Sequence, residues 1–169
     1  MDGSGARVLS EREWAEQLTK AGLRVTRPRL ILLELLQELG GHRSAEDLLA
    51  VLRERGSTFS RASVYNVLQS LAQSGVLRVA DAGPGTARYE VAGEWHHHLV
   101  CRECGALWDV PCAVGLKPCL EPPIKGIQTA EAQVIFRGPC PFASGQGEAA
   151  REAGLNQPEK CVHRGRTED

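Results

Sequence analysis

Residues 95–105, WHHHLVCRECG, hold three of the five histidines and two of the six cysteines in the chain. Imidazoles and thiolates at this density point to metal chemistry. Cys101-Arg-Glu-Cys104-Gly105 is a C-x-x-C-G knuckle, a tight turn that aims two thiolates at one tetrahedral ion such as Zn²⁺. A thioredoxin-like redox pair shares the C-x-x-C spacing, but that motif opens a helix, and here β-prone residues flank both sides. Two thiolates fill half of a tetrahedral site, and Cys140 in GPCP is the third candidate. On a strand His96 and His98 share one face while His97 points to the other. Two imidazoles on one face, close to carboxylates, suit Fe²⁺, Mn²⁺ or Ni²⁺. The cluster therefore reads as two metal sites: imidazoles for one ion, thiolates for a structural zinc.

The chain that must position these groups has 169 residues, enough for one medium domain or two small ones but not for a large enzyme. Hydrophobic residues make up 42% and charged residues 24%, the balance of a soluble globular protein. The sequence lacks the long apolar stretch of a membrane span, and MDGSGARVLSERE has no apolar run to act as a signal peptide. A cytoplasmic location is expected, and in that reducing compartment paired cysteines hold metal or do redox chemistry more often than they form disulfides. The net charge of −1 gives no global sign of nucleic-acid binding, so any such function must rest on local charge.

Four amphipathic helices are predicted in succession. Ser10 with Glu13 forms a capping box, opening a first helix that ends near Gly22. Thr26 and Pro28 start a second, with Leu32, Leu35, Leu36 and Leu39 at i, i+3, i+4, i+7 before Gly40-Gly41. Ser44 caps a third, ended by Gly56, and Ser60 caps a fourth, closed by Gly75. The period then changes: GVLRVADAGPGTARYEVA, residues 75–92, reads as two β-prone runs around a Gly/Pro turn. Helices followed by such a hairpin suggest a winged helix-turn-helix, with a plain helical bundle plus a hairpin as the alternative. Beyond Gly93 the composition shifts to His, Cys, Gly and Pro, with strand-like runs at His97 to Cys101, Ala106 to Val110 and Gln133 to Phe136. The expected organisation is an N-terminal domain over 1–92, a smaller metal-binding domain over 93–142, and a polar, mostly disordered tail over 143–169.

In the fourth helix Val64, Val67, Leu68 and Leu71 define a buried face. Ala62, Tyr65, Asn66 and Gln69 point away from it. Asn and Gln can bond an adenine edge bidentately and Tyr can contact bases, so this face suits a major groove, with Arg61 at the helix start in reach of a phosphate. The plain alternative is a solvated face. KAGLRVTRPR supplies a local cation cluster of Lys20, Arg24, Arg27 and Arg29 without an acidic residue, and Arg78 and Arg88 in the hairpin would add wing contacts.

Taken together, GLRVTRPR, GHRSAEDLL, SRASVYNVLQSLAQSGVL, ARYEVAGEWHHHLVCRECG and AQVIFRGPCP make the chain resemble the ferric uptake regulator family of metal-dependent transcription factors. The resemblance runs from about Glu13 to Pro141. CAVGLKPCL is further similar to the actinobacterial branch associated with catalase-peroxidase control. The resemblance implies an α+β chain: an N-terminal winged helix-turn-helix domain followed by a small α/β dimerisation domain, joined by a hinge carrying regulatory-metal ligands. It matches His42, Glu90, His96, His98 and Asp109 to a regulatory Fe²⁺ or Mn²⁺ site, and Cys101 and Cys104 to half of a structural Zn²⁺ site. Tyr65 matches a base-contacting tyrosine, and Arg24 a basic residue inserted into the minor groove. The partners it implies are palindromic double-stranded operator DNA and a second copy of the chain, with no membrane and no small-molecule substrate.

Three positions depart from the family pattern. Ala143 in CPFA stands where a second C-x-x-C often ends the zinc site, so Cys161, His163, Cys112 and Cys119 are the candidates to complete it, Cys161 first among them. Ala132 stands where many members have a histidine eight residues before the third cysteine, which leaves His97 without an assigned role. Glu90 stands where the peroxide-sensing type typically has Asp, so the branch resemblance points to oxidative stress and the glutamate to metal sensing. The expected function is a dimeric, metal-dependent repressor, not an enzyme, released by metal loss or oxidation and controlling oxidative-stress or iron genes. A small metallohydrolase and a zinc-ribbon interaction module are the alternatives from other classes.

Overall fold

The computed structural model describes residues 8–81, 87–93, 95–112, 114–115, 119–129, 132–142 and 147–155. The chain divides into two compact units, Met1–Gly93 and Glu94–Asp169. No helix among the described residues is long and apolar enough to cross a membrane.

The first unit opens with four helices: α1 (Glu11–Lys20), α2 (Arg27–Leu39), α3 (Ala45–Glu54) and α4 (Arg61–Gln73). Side-chain caps start three of them. The Ser10 and Glu13 groups reciprocate across the first turn of α1, Ser44 and Asp47 do the same at α3, and the Ser60 hydroxyl accepts from the Ser63 amide at α4. The spacing of their apolar residues brings Trp14, Leu18, Leu33, Leu36, Leu48, Leu68 and Leu71 into one core. Each is at most 2% exposed. Burying a leucine to this extent contributes roughly 1.5–3 kcal/mol, which exceeds any single cap.

The hairpin forms as expected. Strands β2 (Leu77–Asp81) and β3 (Ala87–Val91) pair antiparallel, with Arg78 opposite Glu90. The Gly/Pro turn proposed between them lies outside the described residues. A two-residue strand, β1 (Arg43–Ser44), pairs with the other edge of β3, giving the order β1-β3-β2. It holds Arg43 opposite Tyr89, so His42 lies beside Glu90. The Arg43 guanidinium donates to the Leu39 and Gly40 carbonyls at 2.6 and 3.0 Å, closing the C-terminus of α2 just before this strand.

The second unit is built on a three-stranded sheet in the order β5-β4-β6. Strand β4 (His96–Cys101) is central, antiparallel to β5 (Leu107–Pro111) and parallel to β6 (Ile135–Gly138). A parallel pair needs a crossover of a dozen or more residues, and residues 112–134 supply it. Helix α5 (Gly147–Glu152) departs from the expectation of a disordered tail. Its Ala150 is buried, and Leu155 packs with Phe142 against a cluster of Trp108, Cys101 and Cys140. Arg151 of the same helix stands 5.8 Å over the Phe142 ring, a contact its polar composition concealed.

Candidate functional site

Strand alternation and register build the imidazole site of the second unit. β4 turns His96 and His98 to one face, and the antiparallel register sets Asp109 on β5 directly opposite His98. The His96 and His98 rings meet edge-on with centroids 4.9 Å apart, and His96 Nε2 lies 3.4 Å from Asp109 Oδ1. Ligand atoms of His96, His98 and Asp109 lie within 4.8 Å of one another. The Gln133 amide is 3.5 Å from His98 Nδ1. Two imidazoles and a carboxylate at this spacing fit a borderline divalent ion.

The first unit holds the other two residues matched to that site. Glu90 on β3 and His42, just before β1, approach at 3.2 Å between Oε2 and Nε2, with side chains only 9% and 6% exposed. Glu90, His97 and His98 are the buried polar or charged side chains among the described residues. Desolvating such groups is costly, and all three belong to candidate metal-ligand groups.

The knuckle forms as a turn between β4 and β5. Cys101 Sγ accepts from the Glu103 and Cys104 amides at 3.3 and 3.5 Å, and the Gly105 amide closes onto the Cys101 carbonyl at 3.0 Å. Gly105 has φ +66°, a left-handed conformation that L side chains adopt at a cost, which accounts for glycine after the second cysteine. Parallel pairing sets Cys101 opposite Gly138, the last residue of β6, and Cys140 follows two residues beyond it. The ligand atoms of Cys101, Cys104 and Cys140 lie within 4.8 Å of one another. Three thiols so placed fit a zinc ion short of one ligand. Cys161 and His163 lie outside the described residues. Cys112 and Cys119 gather with His97 instead of with this trio.

On α4 the candidate DNA-facing side chains Arg61, Tyr65, Asn66 and Gln69 are all exposed, while Val64, Leu68 and Leu71 are buried. Asn66 and Arg24 line one surface groove together with Arg29, Ser63 and Ser70. The Arg29 guanidinium fixes that wall, donating to the Arg24 carbonyl at 2.6 Å and the Ser70 hydroxyl at 3.2 Å. Arg61 and Tyr65 are held by Glu46 of α3: Arg61 Nη2 lies 2.9 Å from the carboxylate and the Tyr65 hydroxyl donates to it at 3.0 Å. Arg61 also stands 5.5 Å over the Tyr65 ring. Tyr65 first and then Glu46 push the Arg61 guanidinium further up, so it stays a cation at any working pH. The wing arginines are committed locally, which sequence reading missed: Arg88 lies 3.6 Å from Asp47, and Arg78 donates to the Gly93 carbonyl. Arg27 of the N-terminal cation cluster faces Glu11 at 3.8 Å. If α4 meets DNA, Arg61→Ala lowers affinity for all sequences alike and reduces the slope of log affinity against log salt by about one, measurable by titrating a labelled duplex at several salt concentrations.

The chain is similar to known proteins in sequence and in fold. The sequence profile of the ferric uptake regulator family matches residues 20–114. The transcriptional regulator FurA of Mycobacterium tuberculosis is 42% identical over 134 residues, spanning 78% of this chain and 90% of the relative. Among solved structures, the ferric uptake regulator of Vibrio cholerae superposes with a TM-score of 0.59 at 29% identity, covering 75% of this chain and 98% of the other. That of Pseudomonas aeruginosa, solved with manganese, gives a TM-score of 0.62 at 27% identity, covering 75% and 97%.

Proposed function

Since the chain belongs to the ferric uptake regulator family, and is thus a transcriptional regulator rather than an enzyme, we propose that it is a dimeric, metal-gated repressor. In this reading it acts in the cytoplasm and binds a palindromic operator when Fe²⁺ or Mn²⁺ is held by His42, Glu90, His96, His98 and Asp109. Metal loss or oxidation releases it, and oxidative-stress genes of the catalase-peroxidase type or iron genes are the targets. Family membership sets aside the metallohydrolase and ribbon-module alternatives.

The observation that carries the proposal is the chemistry of the buried groups. A protein that needed only a stable sheet would not bury His98 to 1% exposure beside a second histidine and a carboxylate. A divalent ion supplies the positive charge that lets such a set of imidazoles and carboxylates converge. His42 and Glu90 belong to the unit that carries α4, while His96, His98 and Asp109 belong to the other unit. Shared ligation by the two sets would fix the orientation of the DNA-binding units. Two α4 helices in a dimer would then sit at the spacing of two operator half-sites. Manganese in the P. aeruginosa relative supports the choice of metal. Zn²⁺ exceeds Fe²⁺ and Mn²⁺ in intrinsic affinity for such donors, so cellular availability selects the ion.

The test is binding of the zinc-loaded protein to DNA from upstream of its own gene, at fixed salt, with Mn²⁺ and then with a chelator. Binding that appears with Mn²⁺ and vanishes with chelator is expected; binding indifferent to both contradicts a metal gate.

A further inference from the structure

The third group of ligating side chains belongs neither to the imidazole–carboxylate set nor to the knuckle. We propose that His97, Cys112 and Cys119 form a separate metal site for a thiophilic ion of the zinc class, with three protein ligands and one open position.

Its placement follows from the sheet. β4 turns His97 away from His96 and His98, and in the β4–β5 register His97 faces Val110 and His96 faces Pro111. β5 ends at Pro111, so Cys112 is the first crossover residue, level with the start of β4. The crossover brings Cys119 back over the same face: its Sγ lies 3.3 Å from His97 Nε2 and 3.9 Å from the Ala132 carbonyl oxygen. The ligand atoms of His97, Cys112 and Cys119 lie within 4.8 Å of one another.

The His97–Cys119 separation of 3.3 Å is close to an edge of a coordination tetrahedron, and 4.8 Å bounds the other two pairs. With Zn–S and Zn–N bonds of ordinary length, neighbouring sulfur and nitrogen ligands stand about 3.6 Å apart and two sulfurs about 3.8 Å apart. A lone Cys–His hydrogen bond would account for the 3.3 Å contact but not for a second thiol converging on the same pair. His97 is 6% exposed, and the Trp95 ring covers it edge-on at 5.9 Å. Burial of the imidazole is costly without a strong partner for its nitrogen, which a metal provides. Cys112 and Cys119 are only half-buried, as a site with one position open to solvent requires. Two thiolates and an imidazole select zinc-like or cuprous ions over Mn²⁺ or Fe²⁺. The donor set therefore differs in kind from the His96–His98–Asp109 set, and occupancy would pin the crossover onto β4.

The experiment uses the full-length wild-type chain, alkylated in the presence of Zn²⁺, Mn²⁺ or neither, with the modified cysteines located by peptide mass spectrometry. The expected result is that Zn²⁺ protects Cys112 and Cys119 and Mn²⁺ does not, and that His97→Ala abolishes the protection while Cys101, Cys104 and Cys140 stay protected. Zinc content in the Cys112→Ser, Cys119→Ser double variant falls by one equivalent per chain. Equal alkylation of Cys112 and Cys119 with and without Zn²⁺ overturns the proposal without requiring any variant to fold.

Discussion

Replacing His96 with Ala is expected to leave a folded chain whose affinity for its operator no longer rises with Mn²⁺. His96 opens β4 at its first residue and is not among the apolar side chains that form the two hydrophobic clusters. Its side chain meets the His98 ring and, at 3.4 Å, the Asp109 carboxylate. Both neighbours remain in the variant, but the donor set is one imidazole short. Coupling free energies between linked sites run at about 1–3 kcal/mol, a factor of roughly 5–150 in affinity, and this variant should forfeit most of that factor. Titration of a fluorescent operator duplex with protein, with and without Mn²⁺, measures it, and an unchanged thermal melt shows that the fold is intact. A variant that responds to Mn²⁺ as the wild type does would remove His96 from the regulatory site.

Replacing Cys101 and Cys104 together with Ser should unfold the second unit and leave the first. The core of the first unit is built from apolar side chains of four helices and contains no cysteine. Among the described residues the cluster in the second unit is small, and Cys101 and Cys140 supply two of its three buried members, with Trp108 the third. So little apolar burial does not offset the entropy of ordering the surrounding chain, and small domains of this kind depend on a metal. Structural zinc contributes apparent free energies of about 10–16 kcal/mol in small metal-dependent folds, as large as the roughly 5–15 kcal/mol by which a whole domain is stable. The double variant should lose one zinc per chain and the protease resistance of residues beyond 93, while the helical signal of the first unit still melts cooperatively. Retention of protease resistance across β4 to β6 without zinc would show that the thiols are a dispensable cluster.

What the sequence makes legible is what local physics dictates. α1, α3 and α4 announce themselves through Ser caps and apolar residues at helical spacing, and the alternation of His96, His97 and His98 assigns their faces before any sheet is seen. Cys140 in GPCP is likewise read as the third thiol, and its Sγ lies with those of Cys101 and Cys104. What escapes is what tertiary pairing decides. β1 is two residues long, too short for any periodicity, yet it sets His42 beside Glu90. The gathering of Cys112 and Cys119 with His97 depends on the path of a long crossover, which spacing does not encode. Arg88 reads as a free wing cation until Asp47 on another element is found 3.6 Å away. α5 was concealed because a helix with one buried alanine has almost no amphipathic signature.

The central claim is that metal and DNA report to the same conformational equilibrium, and thermodynamic reciprocity tests it most directly. Mn²⁺ affinity of the zinc-loaded protein should be measured by calorimetry with and without saturating operator DNA, beside the operator affinity with and without saturating Mn²⁺. If His42, Glu90, His96, His98 and Asp109 hold one ion that gates DNA binding, the two ratios are equal and well above one. A Mn²⁺ affinity that operator DNA leaves unchanged would contradict the account, because a metal that gates DNA binding must itself be bound more tightly when DNA is present.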